Sequence, residues 1–232
     1  MQKTSSLGLS MYAGKKHIED SISDGEHRAV VGGAWEQIGQ LQLEILKAVG
    51  MKPSHRLLDI GCGSLRLGVR AVDYLDPEHY WGTDLHGGLL KAGYERELVP
   101  AGLAAKLPVS HLVEDGEFEF PGVSEQIDFA IATSVFTHLP LNHLRLCLWR
   151  LAERVSACGS FVFSVFLVSD AAQLDRSFEQ VPGGPITNPH RDPYHYLIDD
   201  VLYCATGTGW NPTLLEGFEH PRGQRFFVAT RR

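Results

Sequence analysis

The stretch of this sequence best suited to hold a ligand is Leu57-Leu58-Asp59-Ile60-Gly61-Cys62-Gly63-Ser64. An apolar strand delivers an acid and then two glycines spaced by one residue. Glycine lets a backbone turn sharply and approach a ligand closely. In an open α/β sheet the ligand crevice lies beyond the carboxyl ends of the strands. A second piece, Tyr80-Trp81-Gly82-Thr83-Asp84, puts another acid at a strand end. A carboxylate there can accept hydrogen bonds from both hydroxyls of a ribose, a need that adenosine cofactors share.

Two ligand classes use such a glycine turn. A dinucleotide wants Gly-x-Gly-x-x-Gly, so that its pyrophosphate meets a helix N-terminus. Here the third glycine position is Arg66, which obstructs close helix–strand packing. Asp59 would also sit badly beside a pyrophosphate. It suits a ligand with a cationic amine instead, and S-adenosylmethionine carries both an amine and a sulfonium. Asp59, Gly61, Gly63 and Asp84 together point to that methyl donor, with an NAD(P)-linked oxidoreductase as the alternative. Arg66 falls in the first turn of the helix expected after the glycines, where a cation opposes the helix dipole. Either it reaches a carboxylate of cofactor or substrate, or it is solvated or makes a structural salt bridge.

The elements that must position these residues follow from periodicity. Trp35, Ile38, Leu41, Ile45 and Val49 share one face of a helix that Gly50 and Pro53 end. Strands are expected at Arg56–Ile60, His79–Thr83, Val109–Val113, Ile127–Thr133 and Gly159–Val168. Helices are expected over Leu65–Leu75, around Leu90, Tyr94 and Leu98, and from Leu141 through Leu144, Leu148 and Leu151 to Val155. Asp199 or Asp200 can cap a short helix that stops near Gly207 and Gly209. Two last strands, near Thr213–Gly217 and Phe226–Thr230, lie too close for a helical crossover and read as an antiparallel pair. Strands alternating with helices predict an α/β domain: a mostly parallel sheet covered on both faces. Residues 1–30 are polar and poorly periodic and read as an N-terminal tail or flap, leaving 31–232 as a single domain. Residues 169–195 carry Pro182, Gly183, Gly184, Pro185, Pro189 and Pro193 and read as a substrate loop or lid.

With these pieces in place, the sequence resembles the class I S-adenosylmethionine-dependent methyltransferases. The family's glycine-rich first motif matches Asp59, Gly61 and Gly63, with Ser64 where a third glycine is usual, and its ribose acid matches Asp84. The resemblance covers residues 33–168. It implies a Rossmann-like seven-stranded sheet with helices on both faces and an antiparallel last strand. It also implies an adenine-binding acid at Asp115, with Glu114 as rival. The fourth-strand motif corresponds to Asp128 through Ser134, which brings Ser134 to the cofactor. The ending Trp210 … His220-Pro221-Arg222-Gly223-Gln224 is similar to a bacterial subgroup of this family with no assigned substrate. Family members of the catechol type hold magnesium with an acid at the end of the fourth strand. This chain has Thr133-Ser134 there, so metal-independent chemistry is expected.

His138 follows the fourth strand, on the rim where a methyl acceptor would sit. A histidine there can take a proton near neutral pH, or simply order the loop. His195 lies in Asp192-Pro193-Tyr194-His195-Tyr196. That run resembles an amino-methylating Asp-Pro-Pro-Tyr signature but follows the fifth strand rather than the fourth and lacks the second proline. It reads as an aromatic segment lining an acceptor pocket, with His195 as a second candidate for proton transfer. No His-x-x-x-His pair or clustered cysteines suggest a metal site. The net charge of −7 and the absence of a dense basic run disfavour nucleic acid as partner. No apolar run approaches a membrane span, since Phe161–Val168 is short and broken by Ser164. Four dispersed cysteines and the lack of an apolar leader fit a reducing cytoplasm. The expected activity is in-line methyl transfer to a small-molecule acceptor, and a donor-binding relative without turnover is the remaining alternative.

Overall fold

The computed structural model describes residues 15–123 and 126–231. The first part of the chain forms α1 (Lys15–Ser23), α2 (His27–Val30) and α3 (Trp35–Ala48). Then β1 (Leu57–Ile60), α4 (Gly68–Tyr74), β2 (Tyr80–Asp84), α5 (Gly87–Gly93), β3 (Leu112–Glu114) and β4 (Ile127–Ala132) alternate. They are followed by α6 (Leu141–Leu151), β5 (Val155–Leu167), α7 (Ala171–Leu174), β6 (Phe178–Glu179), β7 (Ile186–Thr187), β8 (His195–Tyr196), α8 (Ile198–Cys204), β9 (Trp210–Leu215) and β10 (Arg225–Arg231).

Seven strands run in the order β3-β2-β1-β4-β5-β10-β9, and the short β8 adds parallel to the end of β5. β1 pairs parallel with β2 and with β4, and β10 pairs antiparallel with both β5 and β9. This is the expected mostly parallel, Rossmann-like sheet with an antiparallel last strand. The chain leaves β1 toward β2 and β3, then returns to β4 on its other side. The switch point therefore lies between β1 and β4, where such sheets bind ligands.

Every residue of β1 and β2 is buried, which explains why both read as continuous rather than alternating apolar runs. Alternation still sorts their side chains between two cores. Leu58 and Ile60 face a core with Phe161, Phe163 and Trp210 and with Leu144, Leu148 and Leu151 of α6. Leu57, Phe129, Ile131 and Val162 face the other, against Ile45 and Leu46 of α3 and Ala71 and Val72 of α4. Asp59 has the parity of Leu57, so it points to the α3–α4 side of the sheet.

Three expectations are corrected. The helix expected from Leu65 starts at Gly68, because Leu65 adopts a left-handed conformation (φ 67°) that no helix can include. Arg66 thus lies in the turn before α4 rather than in its first turn. The expected N-terminal tail lies outside the described residues through residue 14, but from residue 15 it is helical and packed. Its anchor is Glu97, in a wide π-turn that extends α5 over Tyr94–Leu98. Glu97 accepts from Arg28 Nε at 2.6 Å and Arg28 Nη2 at 2.5 Å and bonds His27 Nε2 at 2.6 Å. Burial alone would raise this carboxyl, but the hydrogen bonds and charges of Arg28 and His27 outweigh it and hold it low. The proline-rich 169–195 segment is not structureless either: it contains α7, the β6–β7 hairpin and β8.

Glu97→Ala leaves a buried histidine and a half-exposed arginine without their acceptor, a loss of about 1.5–3 kcal/mol. The expected outcome is faster amide exchange over residues 15–33 with the central strands unchanged. Unchanged exchange in that segment would show that Glu97 does not anchor it.

Candidate active site

The carboxyl ends of β1, β2 and β4 open into a cavity of about 330 Å³. Its floor is the turn after β1. Gly61 (φ 68°) and Gly63 (φ 56°) are both left-handed. A Cβ on Gly61 would lie 2.5 Å from Val135, and one on Gly63 would lie 2.6 Å from Val31. Both positions therefore require glycine for conformation and for space.

Asp84 ties this turn to β2. Its Oδ2 accepts the Gly63 amide at 2.9 Å and its Oδ1 accepts the His86 amide at 2.9 Å. Burial raises its pKa, while the His86 and Gly63 amides act the other way. Each oxygen keeps a lone pair for a ligand. Asp59 is 2% exposed and accepts from Tyr80 Oη at 2.8 Å. Its carboxyl is pushed up to about 7 by burial, with Tyr80 and Arg66 pulling in the opposite direction.

The other residues singled out from the sequence separate. Asp115 lines the cavity and also folds its own loop, since Oδ1 accepts the Glu117 amide and Oδ2 the Phe120 amide. Its rival Glu114 does not line the cavity. Ser134 lines it in a left-handed turn (φ 63°). That turn is held by Ser164 Oγ on the Ser134 amide at 2.9 Å and by Gln224 Nε2 on Ser134 Oγ at 2.8 Å. Arg66 is buried, lines the cavity, and donates through Nη1 to the carbonyls of Val31 at 3.0 Å and Gly33 at 3.2 Å. Arg222 donates to the carbonyl between them, that of Gly32. Two guanidinium groups thus seat three consecutive carbonyls and press Val31 into the cavity wall.

His138 lines the cavity, and its Nδ1 lies 2.6 Å from Asp192 Oδ1. The residues on either side of it are also held by the 192–196 segment. The Tyr194 amide donates to the Thr137 carbonyl and Tyr196 Oη donates to the Leu139 carbonyl, both at 2.8 Å. His195 lies elsewhere. It is 1% exposed, and its ring nitrogens face Thr187 Oγ1 at 2.8 Å and the Leu174 carbonyl at 3.4 Å, away from the cavity. Strand alternation sends it to the face opposite Tyr194 and Tyr196. Burial lowers its pKa. The aromatic segment therefore supports the site, and His195 does not reach it.

Sequence reasoning missed Val31 and Gln42, and took Asp192 as part of a pocket-lining segment rather than as the partner of His138. Gln42 carries a visible signal, as a polar residue on the buried face of α3 among Ile38, Ile45 and Leu46. The pairing of Asp192 with His138 carries none, since 54 residues separate them. Among the described residues, Gln42 Oε1 and Thr133 Oγ1 belong to cavity-lining side chains and are buried without a hydrogen-bond partner. Such atoms are costly unless a ligand satisfies them. The lining also carries Asp59, Asp84, Asp115 and Glu117 against Arg66, a balance that suits a ligand bearing positive charge.

No family model matches the chain. Solved structures do. The chain is similar to magnesium protoporphyrin IX methyltransferase from Synechocystis, crystallised with S-adenosylmethionine. That match has 13% identity over 99% of this chain and 100% of that one, at a TM-score of 0.62. It is similar to a TehB-like S-adenosylmethionine-dependent methyltransferase from Corynebacterium glutamicum, with 17% identity over 94% and 100% and a TM-score of 0.57. It is also similar to DhpI in complex with S-adenosylhomocysteine, with 16% identity over 98% of each chain and a TM-score of 0.62. The fold is that of the class I methyltransferases.

The elevated Asp59 carboxyl has a consequence for stability. A group whose folded pKa is raised from 3.8 to about 7 contributes fully at low pH, and that contribution is lost as pH rises through 7. Asp59→Asn removes the titration. Denaturant unfolding at pH 5 and pH 8 should show the variant gaining on the parent as pH rises, by at most about 3 kcal/mol. A constant difference across that range would place the Asp59 carboxyl at its ordinary value.

Proposed function

We propose that this chain is an S-adenosylmethionine-dependent methyltransferase that moves a methyl group to a small-molecule acceptor by in-line displacement, without a metal. The observation that carries this reading is the pair of buried carboxylates, Asp59 and Asp84, bounding a glycine-floored cavity at the switch point of the sheet. Asp84 retains the lone pairs to accept two ribose hydroxyls. Asp59 would pair with a cationic amine, whose charge would favour the ionised carboxyl. Asp115 suits the adenine end, and Gly61, Gly63 and Ser134 line the methionine arm. When bound, the donor supplies a methyl group already activated by its sulfonium.

The chain then has to align the acceptor, exclude water and take up a proton where the acceptor must lose one. His138 is placed for the last task. With Asp192 on Nδ1, its proton belongs on that nitrogen and Nε2 is the ring's acceptor. Asp192 also stabilises the imidazolium that results, as a buried carboxylate does behind other catalytic histidines. This favours an acceptor that carries a dissociable proton, a hydroxyl or an amine. The similarity to methyltransferases with small-molecule names supports an acceptor of that size.

The competing oxidoreductase reading predicts binding of NADH. Calorimetry should instead detect S-adenosylhomocysteine and no NADH. Asp84→Ala should weaken S-adenosylhomocysteine roughly ten- to a hundredfold. Tight NADH binding, or an Asp84→Ala variant that binds as the parent does, would refute the donor assignment. With an acceptor found by a methyl-release screen, His138→Ala and Asp192→Asn should each lower kcat by about a hundredfold or more with donor affinity retained. Activity should survive chelation by EDTA; loss restored by magnesium would overturn the metal-independent mechanism.

A further inference from the structure

Gln42 has no role yet. It sits in α3 with Ile38, Ile45 and Leu46 on the buried face, a position where leucine would pack as well. It is 4% exposed, lines the cavity, and leaves its Oε1 without a partner. An amide oxygen kept in a core without a partner gives up water and receives nothing in exchange. Its location narrows what could satisfy it. α3 packs on the face of the sheet toward which Asp59 points, and Val31, Asp59 and Arg66 line the same cavity. Thr133, at the end of β4, offers the second buried oxygen without a partner.

We infer that Gln42 reads the amino-acid arm of the cofactor: its side-chain oxygen accepts a hydrogen bond from the α-ammonium group, beside the Asp59 carboxylate. A half-turn about the last side-chain bond exchanges Oε1 with the amide nitrogen, so either end of the amide can be turned to a ligand. The ammonium has three donors. Asp59 takes one as a charged partner, Gln42 takes a second as a neutral one, and the Thr133 hydroxyl is available to the third. A neutral acceptor here has a use that another carboxylate would not. It satisfies the cation without adding like charge beside Asp59, whose carboxyl already resists ionisation. The selectivity that results is for adenosyl ligands bearing the amino-acid arm over adenosyl thioethers that lack it.

This inference rests on the donor assignment above, and the test separates the two. Calorimetry is run with S-adenosylhomocysteine and with 5′-methylthioadenosine, which keeps the adenosine and the sulfur but has no amino acid. The parent should prefer S-adenosylhomocysteine. Gln42→Leu, which fills the same core volume, should weaken S-adenosylhomocysteine about tenfold and change 5′-methylthioadenosine by less than about twofold. Retained thioether binding also reports that the variant is folded. Equal loss on both ligands, or no loss on either, overturns the inference while leaving the donor assignment standing. A parent that binds neither ligand defeats both.

Discussion

A buried carboxylate cannot be left unanswered, and at Asp84 the chain answers with its own backbone. The amides of Gly63 and His86 converge on its two oxygens. One bond reaches across from the β1 turn and the other folds back from the β2 turn, so a single side chain sets the separation of two loops. Gly93 of α5 shows how close that helix comes to the β1 turn, since a Cβ there would lie 2.6 Å from the Ser64 carbonyl. A buried charge shapes this end of the sheet together with the apolar contacts of Val31 and Val135.

The walls around that floor are made by long-range pairings that come in sets of three. Arg66 and Arg222 hold the carbonyls of Val31, Gly32 and Gly33 on one side. On the other, Asp192, Tyr194 and Tyr196 hold Thr137, His138 and Leu139. In each case an irregular stretch is fixed residue by residue from a distant part of the chain. This is how loop residues can be positioned as precisely as residues on a strand. The histidine that faces the cavity owes its orientation to a segment that does not line the cavity at all.

This division explains what could be read from the sequence. Asp59, Gly61, Gly63 and Asp84 were legible because acid, glycine and strand are neighbours in the chain and their physics is local. The strands and α3 were legible because burial imposes a period. α1 and α2 were not. They are short, and hold their place through residues about seventy positions away, Glu97 on His27 and Arg28 of α2 and Arg96 on the Ile22 carbonyl of α1. The start of α4 was misplaced because Leu65 takes a backbone conformation its residue type does not advertise. His195 was a candidate beside His138, but its ring lies against Thr187 and the Leu174 carbonyl, on a segment that stays outside the cavity that His138 lines.

The strand order carries one more implication, for the direction in which ribosomes work. β10 follows β9 in the chain yet occupies the slot between β5 and β9. Until β10 has been synthesised, β9 has no strand to pair with, and the edge of β5 that will receive it is open over Ser160–Val165. Arg222 and Gln224, which brace the cavity wall and the Ser134 turn, emerge in the same late stretch. The nascent chain can lay down β1 to β4 with their acids and glycines in place, but it cannot yet close a cavity around anything. A small molecule that depends on those walls would meet its site only after translation of this region is over. An exposed, apolar β5 edge is meanwhile a hazard for association between nascent chains on one message.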